Sequence, residues 1–97
     1  MDRMVKNAER ACSFLKSIAH EGRMMILCHL ATGEKTVTEL EDLLSARQAA
    51  VSQQLGRLRM EGLVVPRREG KTIYYSLTDE RPKQIMSVVY DLFCKTD

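Results

Sequence analysis

Thr38-Glu39-Leu40-Glu41-Asp42-Leu43-Leu44, Ser45-Ala46, then Arg47 to Glu61, Gly62, and Leu63 to Leu77 form the stretch whose reading decides the fold. The first seven residues are a short amphipathic helix. Thr38 and Glu41 fit a Thr-x-x-Glu capping box at its start. Ser45-Ala46 makes a tight turn. Arg47 to Glu61 is a longer helix that Gly62 stops. Val51, Leu55 and Leu58 share one face of it and pack inward, while Ala49, Gln53, Gly56 and Met60 lie opposite and Gln48 and Ser52 flank them. Leu63 to Leu77 is a two-stranded hairpin around Glu69-Gly70. In its second strand Ile73, Tyr75 and Leu77 alternate with Thr72, Tyr74 and Ser76, a half-buried pattern. This order is a helix-turn-helix followed by a wing, a layout that sets one helix in a DNA major groove.

Outward from this centre, the chain adds one helix pair before it and one helix after. Val5, Ala8, Cys12, Leu15 and Ala19 form a helical stripe, widened by Ala11, Phe14 and Ile18. His20-Glu21-Gly22 breaks that helix. A second, from about Gly22 to Ala31, is dense in Met24, Met25, Ile26, Leu27 and Leu30, and Gly33 closes it. Thr78 or Asp79 caps a last helix that tolerates Pro82 in its first turn. Ile85, Val88, Val89 and Leu92 form its apolar face. The fold expected is mainly α with a β-hairpin wing, five helices with the hairpin between the fourth and fifth. Residues 1–97 form a single domain. The first and last helices carry more apolar surface than so small a domain covers from inside, and the excess predicts a homodimer through both. Two reading helices then meet a near-palindromic site about one DNA turn apart.

Composition bounds the function. Ninety-seven residues, 44% apolar, suit one modest core. No apolar run approaches the ~20 residues that span a membrane. Met1 to Lys6 lacks the apolar segment of a signal peptide, so a cytoplasmic location is expected. There thiols stay reduced, and the three widely spaced cysteines read as thiols. The net charge is only +2, but it is unevenly spread. Ser45 to Thr78 carries Arg47, Arg57, Arg59, Arg67, Arg68 and Lys71 against Glu61 and Glu69. Gly33 to Leu44 is acidic. Positive charge on the second helix of the motif and on the hairpin suits a polyanion, bound in a salt-dependent way. Gln48, Ala49, Ser52 and Gln53 stand in the first turns of the reading helix, where Gln suits adenine, Ser several bases, and Ala a thymine methyl. Arg47, Arg57, Arg67, Arg68 and Lys71 are expected to hold phosphates. At the wing tip, Arg68 or Lys71 suits a narrow A·T-rich minor groove.

Four blocks carry a family resemblance across nearly the whole chain. They are Leu15 to Leu27, Val51 to Leu55, Leu58 to Val64, and Arg67 to Tyr75. They resemble the arsenic-repressor (ArsR/SmtB) family of bacterial winged-helix regulators. The resemblance implies a homodimeric repressor that binds double-stranded operator DNA and releases it to an inducer. The chain departs from the family's pattern at Ser45, Arg47 and Gln54, where Gly, Ser and His are frequent. No cysteine stands near Val37 to Leu40, and the last helix has no His, so the metal sites of many members are not expected; soft metals need several converging Cys or His ligands. Neither a metal nor a cofactor is expected. Instead, Ile26-Leu27-Cys28 and Leu92-Phe93-Cys94 resemble the sulfide- and persulfide-responsive branch. That implies a dithiol switch of Cys28 and Cys94, with a persulfide or polysulfide inducer. Cys12 falls to packing or the dimer seam. If Cys28 and Cys94 lie beyond the ~7 Å reach of a plain disulfide, inserted sulfur atoms span the gap. An activator or anti-silencer of the same fold remains open, and a metal-responsive repressor less so. An enzyme is not expected, since Cys-x-x-Cys is absent.

Overall fold

The structure, a computed structural model, describes residues 2–45 and 48–94. Its elements run α1 (Asp2–Ile18), α2 (Glu21–Leu30), β1 (Lys35–Thr36), α3 (Val37–Leu44), α4 (Gln48–Met60), β2 (Val64–Glu69), β3 (Thr72–Leu77) and α5 (Glu80–Phe93). Five helices and a hairpin stand in the order the sequence predicts. Among the described residues, no helix is long and apolar enough to cross a membrane.

Side chains at the helix ends set the boundaries. His20 does more than break α1. Its Nδ1 accepts from the Gly22 and Arg23 amides at 3.1 and 3.4 Å and so caps α2, which begins at Glu21. Gly22 makes room for that imidazole, because a Cβ there would lie 3.2 Å from His20 Cε1. Arg23 Nε donates to Ser17 O at 2.6 Å and satisfies a carbonyl at the end of α1. Ala31 is the C-cap of α2, and Gly33 follows with φ 140°, its amide bonded to Leu30 O. At the other end of the chain Asp79, not Thr78, caps α5 by accepting from the Arg81 amide at 2.8 Å.

The third helix starts earlier than its sequence suggests. Thr36 is the N-cap, and its hydroxyl accepts from the Glu39 amide at 3.1 Å. The Glu39 carboxylate accepts in return from the Thr36 amide at 2.9 Å. Thr38-x-x-Glu41 fits the same signature but lies inside the helix. What decides between them is β1. Lys35 and Thr36 pair with Tyr75 and Tyr74 of β3, so the chain is still extended at Thr36. The sheet has three antiparallel strands in the order β1-β3-β2, one more than the hairpin that the sequence predicts. Ser45 ends α3 in the left-handed region at φ 52°. Ala46, with the other half of the expected turn, lies outside the described residues.

The core forms where α2, α3, α4 and the hairpin meet. Leu27, Leu40, Leu55 and Leu58 have no exposed surface. Ile18, Ile26, Leu30, Val51, Leu63, Val64 and Met86 join them, so the inward face expected of α4 is the face that packs. The first and last helices leave much of their apolar surface uncovered by this chain, as expected. In α1 only Ser17 and Ile18 are buried and Phe14 half-buried; Val5, Ala8, Leu15, Ala19 and Cys12 are exposed. Cys12 therefore does not pack in the core of this chain. In α5 the residues facing the body are Pro82 and Met86, with Ile85 and Val89 half-buried, while Val88 and Leu92 are exposed. The helical period splits what the sequence reads as one face into an inner and an outer one.

The two candidate capping boxes make opposite predictions. Thr36→Ala lowers unfolding free energy by about 1 kcal/mol. Thr38→Ala, at an exposed interior position, leaves it nearly unchanged. Urea unfolding of both variants followed by circular dichroism checks this.

Candidate nucleic-acid interface and thiol pair

Burying Val51, Leu55 and Leu58 turns the other side of α4 to solvent. Ser52, Gln53, Gly56, Arg57 and Met60 are exposed there. Gln48 and Ala49 belong to the first turn of α4, but Arg47 and the side chains of Gln48 and Ala49 lie outside the described residues. Arg57 Nε sits 3.6 Å from Glu61, an exposed i,i+4 pair that a stronger anion can displace. Gln54, on the flank, accepts from Arg23 Nη1 at 3.4 Å.

The wing carries its charges unequally. Gly70-Lys71 joins Glu69 to its cross-strand partner Thr72, and Gly70 adopts φ 62°. Lys71 and Arg68 are exposed at this end. Arg68 shares a cleft of about 240 Å³ with Arg59, Pro66, Ile73 and Tyr75, between the wing and the C-terminal half of α4. Arg59 counted toward the basic charge in the sequence, but nothing there marked it as facing the wing. Arg67 stands apart. Its guanidinium donates to both oxygens of Glu34, at 2.7 and 3.2 Å, and to Glu69 at 2.8 Å. It also lies 4.8 Å over the Tyr74 ring. These bonds hold the Glu34 carboxyl below its ordinary range and raise Arg67.

The thiols occupy three settings. Cys28 on α2 is half-buried and packs on the core, its Sγ 3.5 Å from Met86 Sδ on α5. Cys94 is the exposed C-cap of α5, its amide bonded to Tyr90 O. Lys95, its sequence neighbour, lies outside the described residues. Cys28, Ala31, Thr32, Lys83, Met86, Ser87 and Tyr90 line a mostly apolar recess of about 260 Å³ between α2 and α5. Burial pushes the Cys28 thiol above its ordinary value of 9.0, and negative charge at Cys94 pushes it further. Tyr90, which lines the recess with Cys28, is the residue whose carbonyl accepts from the Cys94 amide. Cys12 is exposed on α1. Among the described residues, no three His, Cys, Asp or Glu side chains converge as a metal site would need.

Known proteins share this fold and much of this sequence. Residues 20–65 match the model of a family described as bacterial regulatory protein, arsR family. The biofilm growth-associated repressor of Agrobacterium fabrum is 44% identical over 91 residues, covering 94% of this chain and 78% of its own. The transcriptional activator HlyU of Vibrio cholerae is 37% identical over 97 residues, covering 90% of its length. The structure of reduced HlyU superposes with a TM-score of 0.91 at 38% identity, over 98% of this chain and 100% of that one. A homodimeric winged helix-turn-helix DNA-binding domain from Mycobacterium bovis gives 0.79 at 28% identity, over 95% of this chain and 85% of that one.

The thiol settings predict an order of reactivity. With iodoacetamide at neutral pH, Cys94 is alkylated before Cys28, because the raised Cys28 group stays protonated and shielded. Cys28 alkylation accelerates only at a pH above the ordinary thiol range, because burial disfavours its thiolate. The sign for stability is the same: folding favours the protonated Cys28, so that contribution is present at neutral pH and lost as pH rises through the folded-state value. Peptide mass spectrometry over a pH series reads the order directly.

Proposed function

The chain belongs to the arsR family of bacterial regulatory proteins, and on that premise we propose that it is a homodimeric transcriptional repressor released from DNA by reactive sulfur. The observation that carries the reading is that Cys28 on α2 packs on Met86 of α5 and shares a recess with Tyr90, one turn before Cys94. A bond between them would join the helix behind the reading helix to the helix beside the chain's exposed apolar surface.

DNA contact falls to α4 and the wing. Contacts to bases or the nearest phosphates are assigned to Arg47, Gln48, Ala49, Ser52 and Gln53. Arg57, Arg68 and Lys71 hold backbone. Dimer contact falls to α1 and the outer face of α5. Met4, Val5, Leu15, Val88, Leu92 and Phe93 are all exposed there, Phe93 by 73% and Met4 by 72%, which is a large apolar surface for one small chain. An open groove between these helices, lined by Ala11, Phe14, Ile85 and Val88, is continuous with it. Cys12 belongs to this seam.

The switch runs by thiol exchange. Cys94, the more accessible, attacks the terminal sulfur of a persulfide RS–SH as thiolate. Cys94–S–SH forms and RS⁻ leaves. Cys28 then displaces HS⁻ from Cys94–S–SH, closing a two-sulfur bridge. Where both cysteines carry an added sulfur, one persulfide displaces HS⁻ from the other and the bridge holds three. Couplings of about 1–3 kcal/mol between such sites correspond to about 5- to 150-fold weaker operator binding. The activator name of HlyU favours a second reading, in which the same DNA contact raises transcription.

Fluorescence-anisotropy titration with a near-palindromic A·T-rich duplex from the protein's own promoter tests this. Reduced protein binds, and affinity falls with salt. Glutathione persulfide weakens binding at least about 5-fold. Mass spectrometry then finds Cys28 and Cys94 joined, reductant restores binding, and Cys28→Ser abolishes the response. Binding that ignores persulfide while peroxide or a metal ion abolishes it retains the DNA reading and removes the sulfur one.

A further inference from the structure

We infer that Arg67 is a positioning residue: with Glu34 and Tyr74 it fixes the wing against the start of the helix-turn-helix, instead of holding a DNA phosphate. The inference rests on the reading that the wing touches DNA. It differs from the sequence expectation, in which Arg67 was one of the phosphate-holding cations.

All three guanidinium nitrogens of Arg67 already donate to carboxylates. One face of the group lies on the Tyr74 ring. A phosphate arriving here would have to displace a bidentate carboxylate partner. The cluster is also of the wrong sign. Arg67 contributes one positive charge and Glu34 and Glu69 one negative charge each, which leaves a net of −1. Arg68 and Lys71 have no such partner within hydrogen-bonding distance among the described residues.

The anchor at the other end is firm. Glu34 lies in the turn between α2 and β1. There Lys35 Nζ donates to Thr32 Oγ1 at 3.0 Å and to Gly33 O at 3.2 Å, and Thr32 Oγ1 donates to His29 O at 2.7 Å. Two residues on, Thr36 pairs with Tyr74 and caps α3. Tyr74 in turn is the cross-strand partner of Arg67. Thr36, Tyr74 and Arg67 thus form one row across the three strands, and Glu34 closes over it. This is the outermost row that β1 supports; toward the tip, Arg68 to Ile73 continue as a hairpin alone. An exposed ion pair usually contributes little to folding, but bidentate geometry within a network is the exception. Its effect here is on the direction of the wing tip.

The test exploits the opposite charges of the two partners. Glu34→Gln removes a negative charge near DNA, so simple electrostatics predicts equal or tighter binding. The brace predicts weaker binding. Wild type, Glu34→Gln, Arg67→Gln, the double variant and Arg68→Gln are titrated on the own-promoter duplex over a salt series. Glu34→Gln and Arg67→Gln each weaken binding about 5-fold, at the low end of couplings between sites. Neither changes the salt slope, and the double variant is no weaker than either single one. Arg68→Gln instead reduces the slope by about 1. Hydrogen exchange of the hairpin amides rises in both brace variants and not in Arg68→Gln. Overturning results are a Glu34→Gln variant that binds as well as wild type, or an Arg67→Gln variant whose slope drops by about 1. A wild type that shows no salt-dependent duplex binding removes the DNA reading itself, and is recognised before any variant is examined.

Discussion

Everything exposed on α4 follows from what that helix must bury. Val51, Leu55 and Leu58 close the core against Ile26, Leu27, Leu40 and Leu63, and Leu55 and Leu58 are fully enclosed. A fully buried Leu contributes about 1.5–3 kcal/mol, against a net stability of about 5–15 kcal/mol for a domain. So few residues therefore fix the rotation of the helix about its own axis. Once that rotation is fixed, Ser52, Gln53, Gly56 and Arg57 have only solvent to face. The polar surface proposed to meet DNA is the complement of the packed one.

A second constraint is carried by Thr36. Its backbone pairs with Tyr74 and its side chain caps α3, so one residue joins the sheet to the helix-turn-helix. The wing and the helices are registered to each other through a strand of two residues. Such a short strand resists twisting poorly, and the Glu34–Arg67–Tyr74 cluster lies where the support ends. The segment that holds Glu34 continues from α2. That same helix contributes Ile26, Leu27 and Leu30 to the core and carries Cys28 toward Met86 of α5. Packing thus links α2 to α4, and the β1 turn links α2 to the wing.

The recess at Cys28 explains why a half-buried thiol can still be reached. Burial raises the group and Met86 shields it, which suits a resolving thiol better than a first attacker. Cys94, at the helix end, is exposed. In the thiol exchange proposed above, the exposed cysteine suits the attacking role and the half-buried one the resolving role.

The sequence by itself determined the five helices, the hairpin and the inward face of α4. Each is written in a period or in local punctuation: spacings of three and four, alternation, Gly62 and Gly70 where φ is positive. It determined the basic balance of α4 and the wing, though not which cations were already paired. The thiol pair emerged from resemblance, since residues 28 and 94 share no local pattern. The tertiary structure decided the rest. A strand of two residues has no period to read. Thr36 and Thr38 carry equivalent signatures, and only the pairing of Thr36 with Tyr74 selects between them. Arg67 meets Glu34 across 33 positions of chain, and a charge count cannot tell a phosphate ligand from an internal strut. The apolar face of α5 became two because a helix has neighbours on one side only, and which side that is depends on the packing of α2 and not on α5.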